Sequence, residues 1–217
     1  MSKTMLALNA GSSSIKFGLF DLTGARPVHL FAGEISDAGN KPHLTVKDMQ
    51  GRSVLDRDWP APRKQADILN DILEWTDQKA GSGGLAAVGH RIVHGGSQFV
   101  APVRLMSKTI DELARLTPMA PLHQEACLSP ARILLSLRPD LMQVGCFDTA
   151  FHAVLEPPVS RFAIPRSYEE KGICRKFRLI SLANGLLLRI SAVAPASARC
   201  AMAGASIPPW GSRHSMG

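Results

Sequence analysis

The feature that most constrains this chain is a Gly/Ser-rich turn between two short apolar runs near the amino terminus. The runs cover residues 5–8 and 17–20, and residues 11–14 between them read Gly-Ser-Ser-Ser. Two apolar runs separated by such a segment are typical of two strands joined by a tight turn. We therefore predict a β-hairpin formed by residues 5–10 and 15–21.

The same turn carries groups that suit a phosphate. A Gly/Ser turn presents several backbone N–H groups and small hydroxyls at one point, and these donors can cradle a polyphosphate. Ser12 lies in the turn, Lys16 adds a compact positive charge, and Asn9 can hold a metal-bound water. The alternative is a Ser-rich surface turn that binds no ligand. A Walker A loop is excluded, because the pattern G-x-x-x-x-G-K-[ST] is absent.

The residues after the hairpin predict two more strands and then a helix. Val28–Ile35 and Pro42–Lys47 have the pattern of strands. Residues 48–64 are polar and contain Pro and Gly, which favours a turn and a loop. Apolar residues at helical spacing predict a helix over Gln65–Lys79, which the Gly/Ser-rich residues 80–84 end.

Strands and helices alternate in the next part of the chain. Leu85–Gly89 predicts a short buried strand, and Leu141–Phe147 predicts a strand that places Asp148 at its carboxyl end. Helices are predicted between these strands, over Ser107–Ala114 and His123–Leu137. Antiparallel strands followed by alternating helices and strands indicate an α/β domain.

Two charged residues next to predicted strand ends are candidates for chemistry. Arg91 is predicted to lie in a Gly-rich loop, where its guanidinium can hold a carboxylate or a phosphoryl group through two parallel hydrogen bonds. Asp148 follows an apolar strand, which is a common position for catalytic groups in α/β folds. The structural alternatives are a surface arginine paired with an acid and an aspartate that caps the following turn.

The histidines His90 and His94 have a spacing that on a helix can bind a metal. Gly95-Gly96 favours a loop instead, and no acidic residue is close in sequence. We therefore do not predict a zinc site.

Charge divides the chain at about residue 170. Residues 1–170 contain 18 Lys+Arg and 18 Asp+Glu, whereas residues 171–217 contain 7 Lys+Arg and no acidic residue, so the last 47 residues carry the whole net charge of +7. A basic nucleic-acid-binding extension is one interpretation. The cations are mostly isolated, however, and only Arg175-Lys176 are adjacent. We therefore predict no nucleic-acid partner.

Cysteine usage and hydropathy favour a soluble cytoplasmic protein. The four cysteines form no C-x-x-C pair, which favours a reducing compartment. The start Met1-Ser2-Lys3-Thr4 has no long apolar region behind it, so a signal peptide is not expected. The longest apolar stretch, Leu179–Leu188, is too short to cross a bilayer. No membrane partner is predicted.

Five sequence blocks together resemble the acetate kinase family. The string at residues 9–16 is similar to the family's phosphate-loop signature N-x-G-S-S-S-x-K. The other blocks are G-H-R-I-V-H-G-G at residues 89–96, A-P-L-H-Q at 120–124, where the family has Asn for the final Gln, F-D-T-A-F-H at 147–152, and A-I-P at 163–165 with Tyr168 and Gly172-Ile173 after it. The resemblance covers residues 1–175 and keeps the family order.

The resemblance implies a fold and a domain division. Acetate kinases belong to the superfamily of sugar kinases, heat-shock cognate ATPases and actin, which has two ribonuclease-H-like domains around a nucleotide cleft. Residues 1–175 would form most of the first, actin-like ATPase domain. Residues 176–217 would be a basic, non-matching and poorly ordered tail, with the second domain missing or scrambled. A homodimer is expected for intact members of the family.

The resemblance also implies a reaction and roles for particular residues. The reaction is direct in-line phosphoryl transfer from Mg-ATP to acetate, which gives acetyl phosphate and ADP. The implied roles are catalysis by Asp148, ATP binding by Lys16 and Ser12, binding of the Mg²⁺ cofactor by Asn9, and substrate binding by Arg91, Val93 and Leu122. His123 is expected to line the acyl pocket. Core packing is the alternative for Val93 and Leu122.

The chain departs from the family after Gly172-Ile173. The family continues with a segment that contains a catalytic histidine in G-F-H-G, whereas residues 174–181 read C-R-K-F-R-L-I-S. Read one nucleotide out of step with permitted codons, residues 193–217 resemble a segment found further downstream in the family. We therefore expect an out-of-frame tail and little or no activity. The alternatives are a non-catalytic remnant and a relative that uses propionate or butyrate.

Overall fold

The described part of the chain forms a mixed β-sheet with helices packed against it. The computed structural model describes residues 3–11, 13–38, 40–59, 61–152, 163 and 165–170. Its strands are β1 Thr4–Ala10, β2 Ile15–Asp21, β3 Val28–Ser36, β4 His43–Asp48, β5 Ser53–Asp58, β6 Leu85–Ile92, β7 Val103–Arg104 and β8 Met142–Phe147. Its helices are α1 Gln65–Lys79, α2 Ser107–Ala114, α3 Gln124–Leu137 and α4 Arg166–Glu170, with 3₁₀ turns at Gly81–Gly83, Thr117–Met119 and Asp148–His152. Ser12 and the tail, on which two predictions fall, lie outside the described residues.

The strands follow the order β5-β4-β3-β2-β1-β6-β8-β7. The predicted hairpin is confirmed, because β1 and β2 pair antiparallel with Leu8 opposite Phe17 and Asn9 opposite Lys16. Strands β1, β6 and β8 run parallel to one another in the centre of the sheet. Their carboxyl ends therefore meet at one edge, which is where parallel α/β sheets place their ligands.

One helix and one face of the sheet account for most of the largest apolar cluster. Helix α1 has the predicted bounds and buries Ile68, Leu69, Ile72, Leu73 and Trp75. These residues pack with sheet residues such as Phe17, whose ring meets Trp75 edge-on at a centroid distance of 6.1 Å. Helix α3 adds Leu134 to the same cluster. The helical spacing seen in the sequence is therefore the core-facing side of α1.

The prediction of a loop over residues 48–64 is wrong in part, because Ser53–Asp58 forms strand β5. This strand pairs antiparallel with β4, with Val46 opposite Leu55. The connecting turn is held by the carboxylate of Asp48, which accepts hydrogen bonds from the backbone N–H groups of Gln50 and Arg52 at 2.9 Å. Strand β5 is exposed along nearly its whole length. It shows no apolar alternation, since backbone pairing rather than burial holds it in the sheet.

The remaining elements agree with the sequence to within a few residues. Helix α2 has the predicted bounds, and α3 begins one residue later than predicted. The two-residue strand β7, which pairs with β8, was not predicted from the sequence. None of the helices in the described part of the chain combines the length and the apolar character that crossing a bilayer requires.

Candidate active site

Three of the predicted site residues meet at the carboxyl edge of the central strands. Asn9 lies near the end of β1, Arg91 near the end of β6, and Asp148 directly after β8. Arg91 Nε donates to both carboxylate oxygens of Asp148, at 3.0 and 3.1 Å, and Nη2 donates to Oδ2 at 2.6 Å. Arg91 Nη1 donates to Asn9 Oδ1 at 3.0 Å. Three strands far apart in sequence thus supply one polar cluster, which we call the Arg91 cluster.

Strand pairing, rather than a loop, positions Arg91. The prediction of a loop at His90-Arg91 is wrong, because β6 continues to Ile92 and pairs with β8 through Arg91 opposite Cys146. Successive side chains of a strand point to opposite faces. Ile92 packs into the apolar core, so Arg91 lies on the other face. A guanidinium fixed to a central strand is held more rigidly than one in a loop.

The Arg91 cluster is largely shielded from solvent. The Arg91 side chain is 20% exposed and that of Asp148 is 8% exposed. Desolvation raises the pKa of Asp148 above 3.8, against the opposing hydrogen bonds and charge of Arg91. Burial also acts to lower the pKa of Arg91, but the hydrogen bond and charge of Asp148 outweigh it and raise that pKa above its ordinary value. The arginine therefore stays charged, and its pairing with Asp148 compensates the burial of both groups.

Lys16 lies on the strand next to Asn9. It is opposite Asn9 in the β1–β2 pairing, so the two side chains share a face of the sheet. Its ammonium lies 3.4 Å from a carboxylate oxygen of Glu34 on β3, and both side chains are partly exposed. The described residues thus place a cation beside the Arg91 cluster on the accessible side.

The Gly-rich loop after β6 is clamped by two buried side chains that the sequence analysis did not single out. Gln124 Oε1 accepts a hydrogen bond from the backbone N–H of His94 at 3.1 Å, and Nε2 donates to the His94 carbonyl at 2.9 Å. Nε2 also donates to the Leu113 carbonyl at 3.2 Å. The Thr149 hydroxyl accepts from the backbone N–H of Gly95 at 3.0 Å. The blocks at residues 89–96, 120–124 and 147–152 are therefore tied together physically.

Both glycines of this loop are required by its shape. A Cβ on Gly95 would lie 2.3 Å from the Phe99 carbonyl oxygen and 2.9 Å from the Phe147 ring. Gly96 has φ +61°, a conformation that L side chains rarely adopt. Its backbone N–H donates to His94 Nδ1 at 2.9 Å. The loop is thus a fixed turn that packs against the residue before Asp148.

His90 is a buried core residue. Its Nε2 donates to Gln143 Oε1 at 2.7 Å, since an amide oxygen can only accept. Desolvation lowers the pKa of His90 to about 4, so the imidazole is neutral at pH 7. Desolvation also lowers the pKa of His94. The described residues contain no group of three or more His, Cys, Asp or Glu that can hold a metal ion.

The predicted acyl-pocket residues differ in their surroundings. Val93 is buried in the apolar cluster that contains Ile92 and Phe147. Leu122 is 78% exposed, and His123 is exposed beside it.

Cys127, one turn into α3, is buried and donates to the Ala10 carbonyl at 3.6 Å. Burial raises the pKa of the Cys127 thiol, so the thiol is neutral where it packs against the end of β1.

The oxygen donors of the Arg91 cluster fit a magnesium ion. Mg²⁺ is usually bound through one or two carboxylates and substrate phosphates, with several waters retained. Asp148 supplies a carboxylate, and Asn9 supplies an amide oxygen that shares the same guanidinium. Both are hard oxygen ligands of the kind that magnesium prefers. Asn9 and Asp148 are therefore the described residues that would hold it.

Comparison with known proteins identifies relatives of the described domain. The chain is 39% identical over 177 residues to the acetate kinase of Rhodopseudomonas palustris (strain TIE-1), a match that covers 81% of this chain and 44% of that protein. It is 36% identical over 173 residues to the acetate kinase of Rhizobium meliloti, a match that covers 79% of this chain and 44% of that protein. The chain thus spans about 44% of the length of these curated relatives.

Solved structures agree with the sequence relatives. The crystal structure of Porphyromonas gingivalis acetate kinase matches with a TM-score of 0.66 and 32% identity, and a propionate kinase from Francisella tularensis subsp. tularensis SCHU S4 matches with a TM-score of 0.68 and 26% identity. Each match covers 79% of this chain and 44% of the other. The expected actin-like ATPase fold is confirmed over about half the length of these kinases. The model of the Acetokinase family matches residues 4–180, and the protein therefore belongs to this family.

Proposed function

We propose that this chain carries one side of an acetate kinase active site, which transfers the γ-phosphoryl group of ATP to acetate and gives acetyl phosphate and ADP. The observation that supports this most strongly is the Arg91 cluster at the carboxyl edge of β1, β6 and β8. Phosphoryl transfer to a carboxylate brings two anions together, so the protein has to neutralise charge and align an in-line attack. A rigid, partly buried guanidinium between two oxygen ligands suits both tasks.

In this proposal Arg91 binds the acyl carboxylate and then the transferred phosphoryl group. Its planar donors match the oxygen spacing of either anion. Acetate is already ionised at neutral pH, so no strong general base is required. Asp148 acts electrostatically, by orienting the metal's waters. Bound Mg²⁺ supplies charge neutralisation for the ATP phosphates.

The remaining predicted residues have supporting roles. Lys16 and Ser12 bind the ATP phosphates at the β1–β2 turn. Val93 and Leu122 line the acyl site, which Leu122 can reach because it is exposed. Gln124 and Thr149 hold the loop between Arg91 and this site through the hydrogen bonds described above.

The acyl chain is proposed to be short. A hydrophobic pocket discriminates weakly between substrates that differ by one methylene, typically by about 10–200-fold. The structural likeness to a propionate kinase therefore supports propionate as the alternative substrate, with butyrate after it.

The same proposal includes the location and partners of the protein. We propose a cytoplasmic location, no nucleic-acid or membrane partner, and a homodimer for the intact enzyme.

We further propose that residues 175–217 are an out-of-frame translation and that this chain alone has little or no activity. The support is the lack of any acidic residue after residue 170 and the loss of the family's motif after Gly172-Ile173. A non-catalytic remnant is the corresponding alternative. Sequencing the gene decides the point: if no overlapping frame encodes the family's downstream segment, the proposed tail is wrong.

The catalytic proposal is tested on a full-length enzyme with the reading frame restored after residue 175. Acetate, propionate or butyrate is supplied as the acid, and the corresponding acyl phosphate is trapped as its hydroxamate. We expect turnover with all three and the highest kcat/KM for acetate. A clear preference for propionate would assign the chain to the alternative substrate, and no turnover with any acid would refute the proposed reaction.

A further inference from the structure

One edge of the Arg91 guanidinium at which a carboxylate can bind is fully in use within the protein, and the other shares a nitrogen with Asn9. A guanidinium offers paired donors at its Nε/Nη2 edge and at its Nη1/Nη2 edge. Asp148 takes the first edge with both carboxylate oxygens. Asn9 accepts from Nη1, a nitrogen of the second edge that also carries a second N–H group. A carboxylate substrate therefore cannot bind the Nε/Nη2 edge of Arg91 with two hydrogen bonds unless Asp148 moves away.

The two side chains that occupy Arg91 are also the oxygen ligands suited to a divalent cation. Asp148 and Asn9 both contact the one guanidinium, so the two side chains lie at the same part of the sheet edge. A divalent cation attracts a carboxylate more strongly than a guanidinium does at the same distance, since it carries twice the charge. When Asp148 turns toward such a cation, the Nε/Nη2 edge of Arg91 becomes available.

We infer that Asp148, with Asn9 beside it, couples cation binding to carboxylate binding, by closing the Nε/Nη2 edge of Arg91 in the absence of a divalent cation and opening that edge in its presence. The inference rests on the proposed function for the identity of the carboxylate substrate, and on the observed contacts for the closed state. Coupling between two ligands is reciprocal and typically changes affinity by about 5–150-fold. The Nε/Nη2 edge of Arg91 thus becomes a substrate site only after the metal site is filled.

The first test follows Arg91 itself in the full chain by NMR of its Nε–H group. In the closed state this proton is hydrogen-bonded to Asp148 and should exchange slowly with water. Addition of Mg²⁺ alone should shift its signal and speed its exchange several-fold. Arg63, which pairs with Asp71 away from the cluster, is the internal control and should not respond. The Arg91→Lys variant, in which the signal is missing, assigns it.

The second test measures binding of ¹³C-labelled acetate to the same chain with and without Mg²⁺. We expect Mg²⁺ to lower the Kd for acetate by about fivefold or more. Asp148→Asn should bind acetate without Mg²⁺ more tightly than the unmodified chain, and Mg²⁺ should change its Kd little. Glu34→Gln removes a negative charge from the same sheet face without touching Arg91 and should keep the Mg²⁺ effect.

The outcomes separate this inference from the proposed function. An unchanged Arg91 Nε–H signal on addition of Mg²⁺, or an acetate Kd that Mg²⁺ does not change in the unmodified chain, would overturn the inference. Equal responses of Asp148→Asn and Glu34→Gln would also overturn it, because general charge attraction would then explain the effect. A shifted Arg91 signal with no binding of acetate or propionate would support the opening of Arg91 and refute the proposed substrates. Retained backbone amide spectra show that each variant is folded.

Discussion

Arg91 shows most clearly how a single residue links the fold to the proposed chemistry. Its backbone is fixed in the centre of the sheet, and its side chain is fixed by two partners from other strands. The value of the residue therefore lies in the direction of its donors as well as in its charge. Lysine keeps the charge but loses the planar pair of donors.

We predict that in the frame-restored enzyme Arg91→Ala lowers kcat by about 10²-fold or more, which is the usual loss when an oriented donor to the transition state is removed. Arg91→Lys should restore little of this activity. Steady-state kinetics with acetate and Mg-ATP provide the measurement. Kinetics of Arg91→Lys equal to those of the unmodified enzyme would show that only a diffuse positive charge is needed.

Gln124 is the residue whose importance the sequence did not reveal. Its hydrogen bonds run to the backbone of residues 30 and 11 positions away, and a linear sequence does not show which backbone groups will be neighbours. The available signal was the A-P-L-H-Q block, in which Gln replaces the family's Asn. That block indicated a site residue without indicating a buried clamp.

We predict that Gln124→Ala lowers the free energy of unfolding by about 2–4 kcal/mol. The substitution leaves the His94 N–H and two backbone carbonyls buried without their partner, and each such group costs about 1–3 kcal/mol, with partial relaxation. Urea denaturation is the measurement, and Gln98→Ala, at an exposed position, is the control. Equal stability of the two variants would contradict the clamp.

At the level of elements, apolar periodicity predicted the buried structure well and the exposed structure poorly. Helix α1 was predicted with its observed bounds, because five of its side chains pack into one cluster. Strand β5 was predicted as a loop, because its side chains are exposed and only its backbone pairs with β4. Arg91 was placed in a loop because Gly95-Gly96 suggested an earlier end to β6. Pairing with β8, which lies 50 residues further on, extends that strand.

Strand β3 offers a test of packing between the sheet and helix α1. A Cβ on Gly33 would lie 2.1 Å from the ring of Phe17, which itself packs against Trp75. We predict that Gly33→Ala destabilises the protein by about 1–3 kcal/mol through overpacking. Thermal unfolding measures the effect, and Gly24→Ala is the control, since the nearest atom there is at an ordinary 3.5 Å. A Gly33→Ala protein as stable as the control would mean that the ring moves aside freely.

For the molecule as a whole, the buried His90 makes the free energy of unfolding depend on pH. His90 is neutral and buried in the folded state, with its pKa lowered from 6.5 to about 4. Neutral His90 costs the folded state no stability above pH 6.5, because the histidine of the unfolded chain is also largely unprotonated there. Stability is lost as the pH falls from 6.5 toward 4.

We therefore predict that the free energy of unfolding falls by about 2 kcal/mol more in the unmodified protein than in His90→Gln between pH 7 and pH 5, at about 1.4 kcal/mol per pKa unit. Urea titrations at the two pH values give the comparison. The other histidines are common to both proteins, so the difference isolates His90. Parallel pH profiles would show that His90 is protonated in the folded state or solvated.

The central claim is that the described domain holds one side of a phosphoryl-transfer site and needs the opposite side for turnover. Interactions made only in the transition state set turnover, and a single side of the site supplies only part of them. The most direct measurement is acetyl phosphate formation, trapped as hydroxamate, by this chain and by the frame-restored enzyme under the same saturating Mg-ATP and acetate. We predict robust formation by the restored enzyme and none above background by this chain. Robust formation by this chain that disappears with Asp148→Ala, or none by the restored enzyme, would contradict the account.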